Sequence, residues 1–540
     1  MFFWGNASGH DFEFHLASWL DAAGQWRQGV LYPRWAEWAN WGYGEPRFIF
    51  YPPMSWILGA ALGSLLSWPA AAGAYIWLTL IGGGLAMWRL ASEWLSSREA
   101  VAAALFFAVN PYNLLIVYYR SDFAELLAIA FFPLLVFGLL RVSREGRRGA
   151  PFLAVAFAAT WLCNAPAAVI ATYSVALMLI VAACALRNVR VLAVGGVAMA
   201  IGFGLAAFYI VPAAWEQRWV QIAQAVAEEL RPERNFIFAR VGDPEFILFN
   251  WKVSSVAMGM MLITGICAVF VARRRREFPN LWRIVLVLAV AASCMMFAPS
   301  GILWRWLPKL RFIQFPWRWL DALTVPFALF AAAALSGRRR QWALWIAVLA
   351  VLVASGSAMA RDAWWDSDDA TDLADWVHSS FGYKGTDEYA PIGCDRYALA
   401  GVTADSEQPP GQPITRFAEV DPDSGEVVPL KTARVRVQRW TAERRIFSVV
   451  GSTDIELAIR LVNYPAWLAT VDDVSTSIQS QQNNGQVVLD VPSGTHTVEL
   501  TFRRTRDRTI GGIISLISLI GLGLQGASVA KTKPGARSIP

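Results

Sequence analysis

The sequence predicts an all-α, many-spanning membrane domain with an extracytoplasmic β-sandwich inserted before its last span. Three observations predict it. Of the 540 residues 56% are hydrophobic and only 16% charged, whereas a soluble protein carries about 25% charged residues. Apolar runs, most of roughly 20 residues, recur along the chain, and that length crosses a hydrocarbon core about 30 Å thick. Late in the chain, over 433–503, the apolar period changes from helical to two, and Asn484-Gly485 signals a hairpin.

The runs fall near 51–67, 70–91, 99–118, 123–140, 151–163, 167–186, 191–213, 253–272, 281–299, 319–336, 341–359 and 509–527. Between them lie basic clusters: Arg141/Arg144/Arg147/Arg148, Arg187/Arg190, Arg273 to Arg276, Arg338 to Arg340, and Lys531/Lys533/Arg537. Cytoplasmic loops collect Lys and Arg. All these clusters share one side if 51–67, which opens on Pro52-Pro53, lies at the interface or re-enters rather than crossing. About eleven spans remain by this length criterion. The predicted organisation is a first outer loop (1–69), a transmembrane domain (70–359), an extracytoplasmic domain (360–508), a last span (509–527) and a cytoplasmic tail (528–540). Phe2-Phe3-Trp4 reads as the last turn of a further helix upstream.

Other features exclude rather than assign. The net charge of +6 comes from Arg clusters that set topology, so no nucleic-acid partner is expected. The 27 tryptophans fit a chain with two membrane interfaces. The five cysteines show no CxxC pair or regular spacing, which indicates neither a zinc site nor a disulfide framework.

Ionisable groups are costly near lipid and mark chemistry there. Five outer segments carry them. The first is Gly9-His-Asp-Phe-Glu-Phe-His15, with two of the four histidines, followed by Gly29 to Trp35 and Gly42 to Pro46. If Asp11 starts a helix, His15 follows at i+4 on the same face. A carboxylate beside an imidazole can serve as a general base or share a divalent cation. The bland alternative is a capping Asp11 with Glu13 and His15 solvated. The second segment is Tyr119-Arg120-Ser121-Asp122-Phe123-Ala124-Glu125, which alternatively holds a simple interfacial salt bridge. The third is Cys163-Asn164-Ala165-Pro166. The fourth is a loop over 214–252 with Trp215, Glu216, Glu228, Glu229 and Arg231. The fifth is Leu307 to Arg318, whose Lys309, Arg311 and Arg318 stand among aromatics and prolines with Gln314. Such cations suit a phosphate or pyrophosphate group, or snorkel to ordinary anionic lipid.

The polar region from Arg361 to Arg508 begins with a Trp- and Asp-rich stretch at 361–379 that reads as an interfacial helix. No catalytic constellation appears in the β region, which reads as a structural module.

Taken together, the first-loop carboxylate, the Pro-Pro segment and the Arg-x-Asp loop resemble the GT-C superfamily of membrane glycosyltransferases. Asn463-Tyr-Pro-Ala-Trp-Leu-Ala-Thr-Val-Asp472, Val491-Pro-Ser-Gly-Thr-His-Thr-Val498 and Gln314-Phe-Pro-Trp-Arg318 are similar to its YfhO-type bacterial branch. They also resemble multispanning proteins labelled as related to 6-pyruvoyl-tetrahydropterin synthase. The resemblance covers most of the chain and departs in one respect, the family's first transmembrane helix. It implies an inverting transfer from a polyprenyl-phosphate sugar to a lipid, glycan or protein acceptor, at the outer face of the bacterial inner (plasma) membrane. It implies Asp11 and Asp122 as catalytic carboxylates, with Arg34, Arg120, Lys309, Arg311 and Arg318 as candidates for the donor phosphate. His10, Glu13, His15, Glu125 and Gln314 would support them, and some relatives use a divalent cation, which His10, Asp11 and His15 would ligate here. Two rival readings are a lipid or glycan transporter or flippase, and a non-catalytic envelope assembly protein. A transporter would more often place charges in mid-span or repeat one half in the other, and neither is visible here.

Overall fold

The computed structural model describes residues 6–240, 242, 244–273, 279–334, 341–365, 369–401, 414–482 and 484–531. Phe2 to Trp4, Arg274 to Arg276, Arg338 to Arg340, Lys533 and Arg537, on which part of the topology and the upstream helix were read, lie outside them. The protein is a helical membrane domain joined to two antiparallel sheets. Among the described residues seven helices are long and apolar enough to cross a membrane, or up to nine if each of two bent pairs counts as one span. The bent pairs are Val189–Leu205 with Ala207–Trp219, turned by 71°, and Arg283–Met295 with Ala298–Trp306, turned by 93°.

The expectation of about eleven spans exceeds this count for a geometric reason. Run 151–163 is helical, but as Ala150–Cys163 (14 residues), which at 1.5 Å per residue rises only about 21 Å, short of the hydrocarbon thickness. Run 319–336 is described as far as Ala334, as the helix Leu320–Ala334. Leu320 to Ala333 are buried without a break, so this helix lies in the middle of the bundle. The run after Pro52 is likewise short. Pro53–Leu65 has 13 residues with Pro at its start, about 20 Å of rise.

Local sequence sets the helix ends that matter for function. Ser96 and Glu99 form a capping box at the start of Ser97–Ala108. Glu93 beside it pairs with Arg89 at 2.6 Å and with Arg144. The 24 residues from Ser97 to Arg120 then rise about 36 Å, carrying Arg120 and Asp122 to the end of the bundle opposite Arg144. The Arg141 to Arg148 cluster and the Asp11/Asp122 region therefore lie at opposite ends.

The polar region forms ten strands: β1 (Phe417–Val420), β2 (Val427–Val428), β3 (Ala433–Trp440), β4 (Arg444–Gly451), β5 (Ile455–Val462), β6 (Trp467–Val471), β7 (Val474–Thr476), β8 (Gln479–Ser480), β9 (Gln486–Val491) and β10 (Gly494–Phe502). They make two five-stranded sheets, ordered β2-β1-β5-β9-β8 and β3-β4-β10-β6-β7. Alternation along β4 puts Phe447 and Val449 inward beside Val498 and Leu500 of the neighbouring β10, in one core with Leu457 and Ile459 of β5 in the other sheet. That core also takes in Trp35, Tyr43, Ile49 and Phe50 from the first loop. Trp35 is fully buried, with its ring 5.5 Å from those of Trp467 and Phe502. The first loop and the sandwich are thus one packed unit. The last helix is tied to the same unit through Glu216, which the sequence reading left in a loop. Glu216 ends the helix Ala207–Glu216 and pairs with Arg508 at 2.7 Å, while the Tyr464 hydroxyl donates to it at 2.5 Å.

Candidate active site

Asp11 is the N-cap residue of the helix Phe12–Arg27, but its side chain makes no capping bond. It reaches across to Arg120, Oδ2 to Nη2 at 2.9 Å, and 37% of its side chain stays exposed. The backbone holds the two segments together. Asp11 N donates to Arg120 O at 2.8 Å, and Gly9 N donates to the Ser121 hydroxyl at 3.0 Å. A Cβ at Gly9 would stand 2.5 Å from Tyr119 O, so only glycine lets this approach occur.

Arg120 is aimed by an irregular backbone. Asn110 caps the turn Pro111–Leu115 by accepting from Tyr112 N and Asn113 N. A π-turn over Ile116–Arg120 follows, ended by Ser121 at φ 53°. Such π-turns often mark functional sites. Asp122 then caps the next helix, its Oδ1 accepting from Glu125 N at 2.9 Å. Its Oδ2 lies 2.9 Å from Arg120 and 3.5 Å from Arg318, and its Oδ1 lies 3.4 Å from His15 Nε2. Burial alone would raise the Asp122 carboxyl, but Arg120, His15 and Arg318 outweigh it and hold it well below the usual carboxylate range.

Glu125 is fully buried and binds both guanidinium groups, at 2.5 Å from Arg120 and 3.0 Å from Arg318, while Tyr112 donates to its other oxygen. Arg318 spends its remaining donors on Ile313 O at 3.1 Å and Gln314 Oε1 at 3.2 Å. Gln314 itself sits at φ 66°, ψ −60°, with Phe315 N donating to Ile313 O at 2.8 Å. This is a γ-turn of the strained positive-φ type, a conformation that surrounding structure must hold in place.

These segments line one cavity of about 780 Å³, within the usual range for ligand sites. His10, Asp11, Glu13, His15, Asp122, Lys309, Gln314 and Arg318 all face it. Four predicted residues do not. Arg120 and Glu125 stand behind the carboxylates, because three acids consume the guanidinium of Arg120. Arg34 is drawn to Glu443 at the β3–β4 turn, with Nε 3.0 Å from its Oε1. Arg311 is exposed on the far side of its turn. The structure thus does not bring Arg34 and Arg311 to the site as phosphate ligands.

The metal set also requires correction. Among the described residues no group of three or more His, Cys, Asp or Glu side chains could hold a metal ion. His10 precedes the helix and packs on Phe249 at 4.9 Å, whereas His15 lies a turn in, against Asp122. Burial, with the nearby Arg120, lowers the His10 pKa despite the opposing pull of Asp11. His10, Asp11 and His15 do not converge.

Sequence reasoning missed the far wall. Lys384, Gly385, Thr386, Glu388 and Tyr389, from the segment leading into the sandwich, line the same cavity. They are locked to the first loop. Thr386 N donates to Glu45 Oε2 at 2.9 Å, Arg47 donates to the Thr386 hydroxyl at 3.3 Å, and Arg47 pairs with Glu45 at 2.7 Å. No periodicity signals such a segment. Only the Glu45-Pro-Arg47 charge pair beside an aromatic run hinted at a partner.

A family model described as the 6-pyruvoyl-tetrahydropterin synthase related domain, a membrane protein family, matches residues 48–363. This is more than half of the chain. The chain belongs to that family. No curated protein matches it. Among solved structures it is similar to the arabinofuranosyltransferase AftD from Mycobacteria, with 16% identity and a TM-score of 0.42 over 66% of this chain and 25% of AftD. A mutant of AftD aligns with 12% identity and a TM-score of 0.43 over 93% of this chain and 58% of that one. The archaeal oligosaccharyltransferase AglB from Archaeoglobus fulgidus, in complex with an inhibitory peptide and a dolichol-phosphate, aligns with 14% identity and a TM-score of 0.38 over 76% of this chain and 58% of AglB. The chain spans less than two thirds of each of these proteins.

Proposed function

We propose that this membrane protein is an inverting GT-C-type glycosyltransferase. It would move a sugar from a polyprenyl-phosphate donor to an acceptor hydroxyl at the extracytoplasmic face of the plasma membrane. The observation that carries this reading is the pairing, in one cavity, of a half-exposed carboxylate with a cationic rim. Asp11 faces the cavity with 37% of its side chain exposed while Arg120 holds its Oδ2. Lys309 stands at the rim with only a 3.4 Å contact to Gln217 and the Phe312 ring 4.9 Å away.

In this reading Asp11 accepts the proton of the acceptor hydroxyl as that oxygen bonds to the anomeric carbon. The bond from the anomeric carbon to the phosphate oxygen breaks, and the electron pair leaves with the lipid phosphate. Lys309 meets that charge directly, and Arg318 contributes its field from behind. Asp122, already bound on both oxygens, acts as a positioning residue for Arg120 and Arg318 rather than as a base. Trp161, Val169, Ile210 and Ala213 form an apolar cavity wall that suits an isoprenoid chain. The outward face is supported by the Arg141 to Arg148 cluster lying at the opposite end of the bundle, as cytoplasmic loops collect Lys and Arg.

The test is transfer from labelled polyprenyl-phosphate sugars by the protein in nanodiscs. Turnover that is lost in Asp11→Asn supports the reading. Absence of transfer with every donor sugar would overturn it in favour of an assembly role.

A further inference from the structure

The cavity has a second pole that the transfer chemistry above does not use. Glu388 lies in the turn Asp387–Tyr389 and faces the cavity. Among the described residues its carboxylate forms no ion pair, and its hydrogen bond is to its own backbone N–H. Glu388 is half-buried, and an acid drawn this far from solvent usually has an ion partner.

The turn around it is held from three directions. Glu45 and Arg47 grip Thr386. Arg396 donates to Gly385 O at 2.7 Å and to Asp387 at 2.5 Å. Gln221 N donates to Ala390 O at 2.9 Å. A Cβ at Gly385 would collide with Asn40 Oδ1 at 1.8 Å, so the turn has no slack. The protein thus spends a rigid frame on presenting one unpaired carboxylate to a cavity. Next to it stands an aromatic wall. Tyr389 stacks on Phe50 at 5.7 Å and 14°, and Tyr51 lines the cavity beside them.

We infer that Glu388, with Tyr389, Phe50 and Tyr51, forms a subsite for a neutral sugar ring. A carboxylate accepts hydrogen bonds from sugar hydroxyls, and aromatic side chains cover the apolar C–H face of the ring. The subsite rests on the glycosyltransferase reading and extends it, since the ring it holds belongs either to the acceptor or to the donor. Burial, reinforced by Glu45 and Asp387 and opposed by the backbone N–H and Arg47, pushes the Glu388 carboxyl up to about 7. Lys384 and Tyr389 are the other ionisable neighbours in the turn. Sugar affinity therefore rises as pH increases through neutrality and Glu388 becomes the stronger acceptor.

The experiment measures dissociation constants for the nanodisc-embedded protein and Glu388→Gln. One set of probes is neutral disaccharides of mannose, galactose and arabinose. The other is polyprenyl phosphate with and without a sugar. A charge-assisted hydrogen bond to a hydroxyl corresponds to about a tenfold change in affinity. The expected result is a loss of about tenfold for a sugar probe in Glu388→Gln, together with loss of the pH dependence. Binding of bare polyprenyl phosphate stays unchanged. Loss confined to the disaccharides makes this the acceptor subsite, and loss confined to the lipid-linked sugar makes it the donor's. Tyr389→Leu gives the same loss through the aromatic face. If no sugar probe binds, or Glu388→Gln binds all of them as the wild type does, the subsite is overturned. Failure of the donor reading is separate: it shows as absent binding of bare polyprenyl phosphate, which Glu388 does not touch.

Discussion

Two buried ion networks flank one cavity, and they differ in a single respect. Around Glu45 and Arg47 the side chains are buried, with exposures of 0% and 1%, and although Arg47 borders the cavity, its donors and the Glu45 acceptors are matched through Thr386 and Ser18. Around Arg120 three carboxylates share two guanidinium groups, and one of them, Asp11, is left 37% exposed. A carboxylate such as Glu45, buried with both oxygens engaged, holds parts together and has nothing to offer a guest. A network with one open carboxylate keeps its geometry and can still exchange a proton with a guest. The contrast separates frame from chemistry among residues of the same type.

The sharpest way to break this contrast is Asp11→Asn. The amide preserves shape but takes no proton at neutral pH, so transfer is expected to fall by about 10²–10⁴-fold, with the melting temperature in detergent nearly unchanged. A radiolabel transfer assay alongside a thermal scan checks both halves. Glu45→Ala should do the reverse. It strands Arg47 in the interior at a cost of about 3–5 kcal/mol, read as a large drop in melting temperature and in yield of folded protein. A retained melting temperature would mean that this network is not the frame. Of smaller size is Lys309→Ala, expected to weaken polyprenyl-phosphate binding by about tenfold, whereas Arg34→Ala leaves it unchanged because Arg34 serves Glu443. Equal losses in a lipid-binding assay would return Arg34 to the site.

An effect confined to one pH window is a pH dependence of stability at Glu37, which lies behind the Glu45 network. Burial raises its carboxyl, Arg445 opposes and Asp21 adds to the rise, and the result is a value pushed up to about 7. The folded protein then holds a proton that the unfolded chain releases above its ordinary value of 4.5. Stability contributed at low pH is lost as pH rises between these values. Glu37→Gln should raise the melting temperature near pH 8 and leave it unaltered near pH 5. Identical curves for variant and wild type would remove Glu37 as the source.

Much of the fold was legible because its signals are local. Apolar run length announced the spans, and period two announced β3 to β10. Asp11, Asp122, Lys309 and Arg318 stood out because charge is expensive beside lipid. What could not be read was which cations reach the cavity. Arg34 and Lys309 look alike in sequence, and only the position of Glu443, a distant turn residue, separates them. The Lys384 to Tyr389 wall was illegible for the same reason, since a short turn carries no period and its partners Glu45 and Arg47 lie more than 300 residues away. Run length overstated the span at Ala150–Cys163, a helix of 14 residues packed by its neighbours, because run length measures greasiness and not depth.

The burial of Trp35 against Phe502 has a consequence for biosynthesis. The two rings are 467 positions apart (502 − 35), and at about 5–20 residues per second a ribosome needs roughly half a minute to a minute and a half to travel between them. Throughout that interval the first loop has emerged without the strands that will enclose its tryptophan. The nascent chain must keep an unfinished aromatic surface at the membrane until its last hairpin arrives, so this loop is where a chaperone or a misplaced lipid would meet the protein first.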